Sequence, residues 1–191
     1  ISQAGVLGRL VEWDGESTGD WIEELEASRA LINLTGRSID CRHTPSNRQE
    51  ILDSRIKSTR VLGEALHHCI KPPAVWLNAS SMALYGQCIG GEEAHDENSP
   101  ITKSGFLEEV TVAWEDEFFK FNSPNVRQVA LRISFILGRS SGAFPLLKKL
   151  TSFGLGGNQG SGRQWMSWLH QDDWVGIARF LLEKEDITGP V

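Results

Sequence analysis

Apolar residues fall along this chain in two rhythms. Near-continuous runs, Ala30-Leu31-Ile32 with Leu34, then Ala74-Val75-Trp76-Leu77, then most of 126–137, have the pattern of strands buried on both faces. Between them, apolar positions recur every three or four residues. From Ser46 or Asn47 to Cys69 these are Ile51, Leu52, Ile56, Val61, Leu62, Ala65 and Leu66, which predicts a long amphipathic helix stopped by Pro72-Pro73. Leu107, Val110, Ala113, Trp114 and Phe118 predict a second helix over 106–121. A short helix over 144–153, a short strand over 165–169 and a last helix over 172–184 follow, the last with Val175, Ala178, Phe180 and Leu181 inward. A further short strand is expected at Leu10-Val11-Glu12-Trp13.

Strands alternating with helices of this length are the signature of βα units around a parallel sheet, so the expected fold is a doubly wound, three-layer α/β domain. No internal repeat, low-complexity tract or Pro/Ser-rich linker divides the 191 residues, and one domain is expected.

Composition narrows the partners. With 19 Lys+Arg against 25 Asp+Glu the net charge is −6, which argues against a nucleic-acid-binding domain. At 40% hydrophobic and 23% charged residues the chain is not of the disordered class. No window approaches the roughly 18 apolar residues of a membrane helix, and the first residues lack the form of a signal peptide. Three cysteines, Cys41, Cys69 and Cys88, are an odd number without C-x-x-C spacing, as expected of reduced thiols in the cytoplasm rather than a disulfide or zinc scaffold.

Ligands of open parallel sheets bind beyond the carboxyl ends of the strands. Three segments arrive there: Leu34-Thr35-Gly36, Ala79-Ser80-Ser81 and Ile133-Ser134. Their small residues either let a flat ligand approach the backbone or merely close the strands. The cluster Gly154, Gly156, Gly157, Gly160 and Gly162 has the wrong spacing for a dinucleotide fingerprint and follows a helix instead of a strand, so it is read as a loop. His170 shares no metal-ligand spacing with His43, His67, His68 or His95 and is expected to join a strand end to a helix start. No G-x-S-x-G surrounds Ser81, which removes the hydrolase reading.

Taken in order, Ile32-Asn-Leu-Thr-Gly36, Ser80-Ser-Met-Ala-Leu-Tyr85-Gly86, Leu131-Arg132 and Gly160-Ser-Gly-Arg-Gln164 with Trp168-Leu-His-Gln-Asp-Asp173 resemble the extended short-chain dehydrogenase/reductases, the NAD(P)-dependent epimerase/dehydratase group. Asp53-Ser-Arg55 with Ser58-Thr59, Ala113-Trp-Glu115 and Gly154-Leu-Gly-Gly157 are similar to its atypical branch of "epimerase family" proteins, which carry a C-terminal DUF1731 domain. The resemblance spans about residues 10–191. It implies a Rossmann-like fold truncated at both ends, lacking the first βαβ unit and its phosphate-cradling glycine turn, with the start of a substrate-side region at about 139–170. It also implies that NADP or NAD is the cofactor, with NADP favoured. Leu34, Thr35, Gly36, Ala79, Ser80, Ile133 and Ser134 would contact it. Ser81 would be the catalytic serine that hydrogen-bonds a small-molecule substrate, and the two long helices would pair in a homodimer.

Two departures qualify that expectation. The superfamily's Tyr-x-x-x-Lys pair, in which lysine lowers the tyrosine pKa for acid–base work, is absent. The positions it would occupy hold Leu107 and Thr111, and four residues beyond Tyr85, the single tyrosine, stands Ile89. The arginine that grips the diphosphate of sugar nucleotides is replaced by Met166, with Ser167 beside it and Arg163 three residues off. Three readings stay open: an NAD(P)-dependent oxidoreductase or epimerase-like enzyme acting on a small carbonyl or hydroxyl compound, a dinucleotide-binding protein without turnover that senses or scaffolds, and a piece that binds nothing by itself.

Overall fold

The computed structural model describes residues 8–86, 95–139, 144–158 and 160–191. Four parallel strands, β1 (Ala30–Asn33), β2 (Val75–Ser81), β3 (Arg127–Ile133) and β6 (Gly189–Pro190), form the main sheet in the order β1-β2-β3-β6. A second, two-stranded parallel sheet pairs β4 (Phe135–Leu137) with β5 (Trp168–His170). The helices are α1 (Pro45–His68), α2 (Phe106–Lys120), α3 (Phe144–Ser152) and α4 (Gln171–Glu183). Among the described residues no helix is long and apolar enough to cross a membrane.

Alternation along β2 sorts its side chains between two layers. Trp76 joins Phe118 and Phe121 of the α1/α2 layer, with ring centroids 4.8 and 5.5 Å away, and Leu62, Ala65 and Leu66 of α1 fill the same core. Val75 and Leu77 face the other way, where with Val129 and Leu131 they pack on Leu181 of α4. Helices on both faces of a parallel sheet are the doubly wound arrangement expected from the sequence.

α1 begins where Thr44 caps it, the Thr44 hydroxyl accepting from the Asn47 N–H at 3.3 Å with Pro45 in the first helical position. It packs on α2, and the Trp114 indole N–H donates to the Thr59 hydroxyl at 2.8 Å inside that contact.

Three expectations need correction. Leu10 to Trp13 form no strand. Trp13 instead stacks edge-on against Trp21 at 5.2 Å and covers the α1/α2 core, while Leu10 and Val11 stay exposed. The run 126–137 is two strands rather than one, because the ladder breaks at Ser134 where the chain leaves the main sheet for the small one. On α4 the buried stripe is Ala178 and Leu181 with Trp174 partly covered, whereas Val175 and Phe180, each about 100° round the helix from a stripe residue, are 38% and 49% exposed.

Candidate functional site

The carboxyl ends of β1, β2 and β3 lie side by side. Ladder register sets Asn33 opposite Asn78 and Ser81 opposite Ile133, so the three segments singled out from the sequence finish at one edge of one sheet. Asn33 makes that edge. Its amide donates to the Asn78 side chain at 2.7 Å across the strands, and its own carbonyl oxygen accepts from the Thr35 N–H at 3.0 Å. Both asparagines are buried, so this pair satisfies polar groups that would otherwise destabilise the sheet, and it turns the chain through Thr35-Gly36.

A cavity of about 270 Å³ opens above this edge, between the strand ends and helices α1 and α2. Leu34, Thr35, Gly36, Ala79, Ser80 and Ser81 form its sheet side. The helices add Arg55 from α1 and Leu107, Val110, Thr111 and Trp114 from α2, and Ile39 and Ala83 complete the wall. Ile133 and Ser134 sit one strand over and are not among the lining residues. Leu107 and Thr111, the residues found where an acid–base pair would stand, do line it.

Polar groups in the wall divide into committed and uncommitted ones. Ser80 is committed, since its buried hydroxyl donates to Glu115 Oε1 at 2.5 Å. Glu115 is held in turn by Arg132, whose Nε and Nη2 donate to its two oxygens at 2.9 and 2.8 Å. The third nitrogen of Arg132, Nη1, donates to the Tyr85 hydroxyl at 2.5 Å, and the Tyr85 ring stacks on His95. Hydrogen bonding to Glu115 holds the Arg132 pKa above its ordinary value. This closed network ties α2, β2, β3 and the short 3-10 turn Met82–Tyr85 together behind the cavity.

Ser81 is uncommitted. Its oxygen accepts from the Ala83 N–H at 3.1 Å, and among the described residues its hydroxyl hydrogen has no acceptor, so it can point at a ligand oxygen. Arg55 also retains donors. Its Nη1 donates to the backbone carbonyls of Arg37 and Ile51 at 3.1 and 2.9 Å, and its guanidinium lies 5.1 Å from the Trp114 ring centroid. Burial without a carboxylate partner pushes its pKa below the ordinary value.

His170 caps α4, its Nδ1 accepting from the Asp172 N–H at 3.2 Å, as expected of a strand-to-helix joint. The glycine cluster follows α3 and leads into no helix N-terminus. Cys88 and Ile89 lie outside the described residues, and Cys41 and Cys69 are free thiols. Sequence reasoning missed Asn33, Asn78 and Arg55. The signals were present: an asparagine inside each apolar strand, and an arginine four residues after Ile51 on the buried stripe of α1.

Comparison with known proteins agrees with this architecture. Residues 3–190 match the model of the NAD dependent epimerase/dehydratase family. The chain is 33% identical over 181 residues to the Bacillus subtilis epimerase family protein YfhF, covering 95% of this chain and 58% of that protein. It is 34% identical over 174 residues to the chloroplastic SDR39U1 homologue of Arabidopsis thaliana, covering 90% of this chain and 49% of the other. Among solved structures, the human epimerase family protein SDR39U1 (isoform 2), crystallised with NADPH, superposes with a TM-score of 0.79 at 31% identity, covering 89% of this chain and 59% of that one. The nucleoside-diphosphate sugar epimerase of Corynebacterium glutamicum gives 0.77 at 28%, covering 94% and 37%. The chain thus spans under three-fifths of the length of these relatives.

Proposed function

Because the chain belongs to the NAD-dependent epimerase/dehydratase family and has its Rossmann-like fold, we propose that it serves an NAD(P)-dependent oxidoreductase or epimerase-like reaction on a small carbonyl or hydroxyl compound. The observation that carries this reading is the cavity at the shared carboxyl edge of β1 and β2, with the free Ser81 hydroxyl in its wall.

The residues present fit one end of a dinucleotide. At about 270 Å³ the cavity is smaller than the roughly 300–1,000 Å³ typical of pockets for drug-sized ligands. Thr35, Gly36, Ala79 and Ser80 are small enough for a flat ring to approach the backbone. When bound, NAD(P) supplies hydride donor or acceptor chemistry. Ser81 donates its hydrogen to the substrate oxygen, and Leu107, Val110 and Trp114 exclude water from that side. NADP is favoured over NAD because the human relative was crystallised with NADPH.

A second reading has its own observation. Leu107 and Thr111 line the cavity and offer no group that titrates near neutral pH, which favours a dinucleotide-binding protein that senses or scaffolds without turnover. Titrating the purified protein with NADPH and NADH, then assaying hydride transfer with a panel of small carbonyl compounds, separates the two. For the enzyme we expect saturable binding and a turnover that falls about 10²-fold in Ser81→Ala. Saturable binding with no turnover supports the sensor, and absence of binding to either cofactor overturns both.

A further inference from the structure

Arg55 is a cation on the wall of the cavity, and among the described residues it makes no ion pair. Arg37, whose backbone carbonyl accepts from Arg55, has its own side chain engaged by Glu50 and by Asn47 at 2.9 Å, so Glu50 is not held in reserve for Arg55. Arg55 spends Nη1 on two backbone carbonyls. Its Nε and Nη2 donate to no described group. Those two nitrogens form the edge of the guanidinium that meets a carboxylate or phosphate with two parallel hydrogen bonds. The same edge of Arg132 does this with Glu115.

The surroundings hold the open edge in place. Trp114 supports the guanidinium from α2. On the sheet side the backbone comes close because residue 36 is glycine: a Cβ there would lie 3.0 Å from Arg55 Cζ and 3.2 Å from Nη2. A charge kept partly out of water without a counter-ion is unfavourable by itself, and an arriving anion removes that cost. The other walls offer apolar surface and the hydroxyls of Ser81 and Thr35.

We propose that this cavity takes its ligand by an oxyanion, a carboxylate or a phosphate, held on Nε and Nη2 of Arg55. The inference rests on the proposed function only in treating this cavity as the ligand site, and it specifies the ligand as anionic. The anion belongs either to a small carboxylate substrate, which would set Ser81 to work on a nearby carbonyl or hydroxyl, or to a phosphate of the cofactor.

The Arg55 Nε–H signal in ¹⁵N NMR, assigned by its loss in Arg55→Lys, reports the site directly. The purified protein is titrated with straight-chain monocarboxylates of two to six carbons, with their amides and with inorganic phosphate, each without cofactor and with saturating NADPH. NADPH is also titrated alone. The expected result is a saturable shift with the carboxylates or phosphate and none with the amides. Affinity, measured for the wild-type protein and both variants by calorimetric titration because the variants lack the Nε–H signal, should fall tenfold or more in Arg55→Gln and less in Arg55→Lys, which keeps the charge but loses the fork. Carboxylate shifts that persist with NADPH bound assign the anion to the substrate. A shift with NADPH alone, with tenfold weaker NADPH binding in Arg55→Gln, assigns it to the cofactor. No saturable shift with any anion, or unchanged affinity in Arg55→Gln, overturns the proposal. A protein that binds no dinucleotide yet still binds carboxylates at Arg55 defeats the proposed function and leaves this inference standing.

Discussion

Two arginines flank consecutive residues of α2 and meet opposite fates. Arg132, reaching from β3, closes its fork on Glu115 and spends its last nitrogen on Tyr85. Arg55, reaching from α1, lies on Trp114, one position earlier, lines the cavity, and leaves the same two nitrogens without an acceptor among the described residues. One residue along a helix turns the side chain by about 100°, so neighbours in sequence serve different layers. The contrast separates what holds the sheet edge together from what is left for a ligand. A buried ion pair with every hydrogen bond made is structural, whereas a cation resting on an aromatic face with donors to spare is available chemistry.

The comparison breaks most visibly at the closed corner. Glu115→Ala strands the Arg132 charge, whose side chain is only 7% exposed, and is expected to reduce unfolding stability by about 3–5 kcal/mol in urea titration. Replacing both partners by apolar residues of similar size should recover much of that loss. Ser80→Ala removes one hydrogen bond to Glu115 and should lower stability by about 1–2 kcal/mol in the same measurement. Arg55→Met is the converse test. With no ion pair to lose, it should be neutral or mildly stabilising within about 1 kcal/mol, while anion binding disappears.

The smallest effect is on the same helix where Glu117, its side chain mostly covered, meets Arg60 of α1. Glu117 accepts from Arg60 at 2.7 Å and from Lys120 at 2.8 Å, which holds its carboxyl below its ordinary pKa. A depressed carboxyl contributes stability that is full above the unfolded-state pKa, about 4.3, and is lost as pH falls through the lower folded value. Glu117→Gln should flatten that acid limb of the stability curve and cost under about 1 kcal/mol near neutral pH, since Arg60 and Lys120 are exposed.

Much of the frame was legible in the sequence. The strands at 30–33 and 75–81 and both long helices come within a residue or two of their expected bounds, because unbroken apolar runs and a three-to-four-residue rhythm are local signals. The three strand-end segments were found the same way, and the structure sets them at one sheet edge. Leu10 to Trp13 misled because so short an apolar run does not tell a strand from a loop that packs one side chain, Trp13, on the core. Ser134 misled because a ladder ends where its partner strand ends, and β6 and β5 lie far along the chain from it.

By itself, then, the chain's order of residues determined its repertoire of elements, the small residues at their ends and the absence of a tyrosine–lysine pair, all of which depend on neighbours within a few positions. Tertiary structure alone decided which charges meet. Glu115 finds Arg132 across 17 residues and Arg55 finds Trp114 across 59, encounters set by strand register and by the packing of α1 on α2. No local pattern distinguishes the arginine whose fork is filled from the one whose fork stays open, because the difference lies in what the fold sets opposite each.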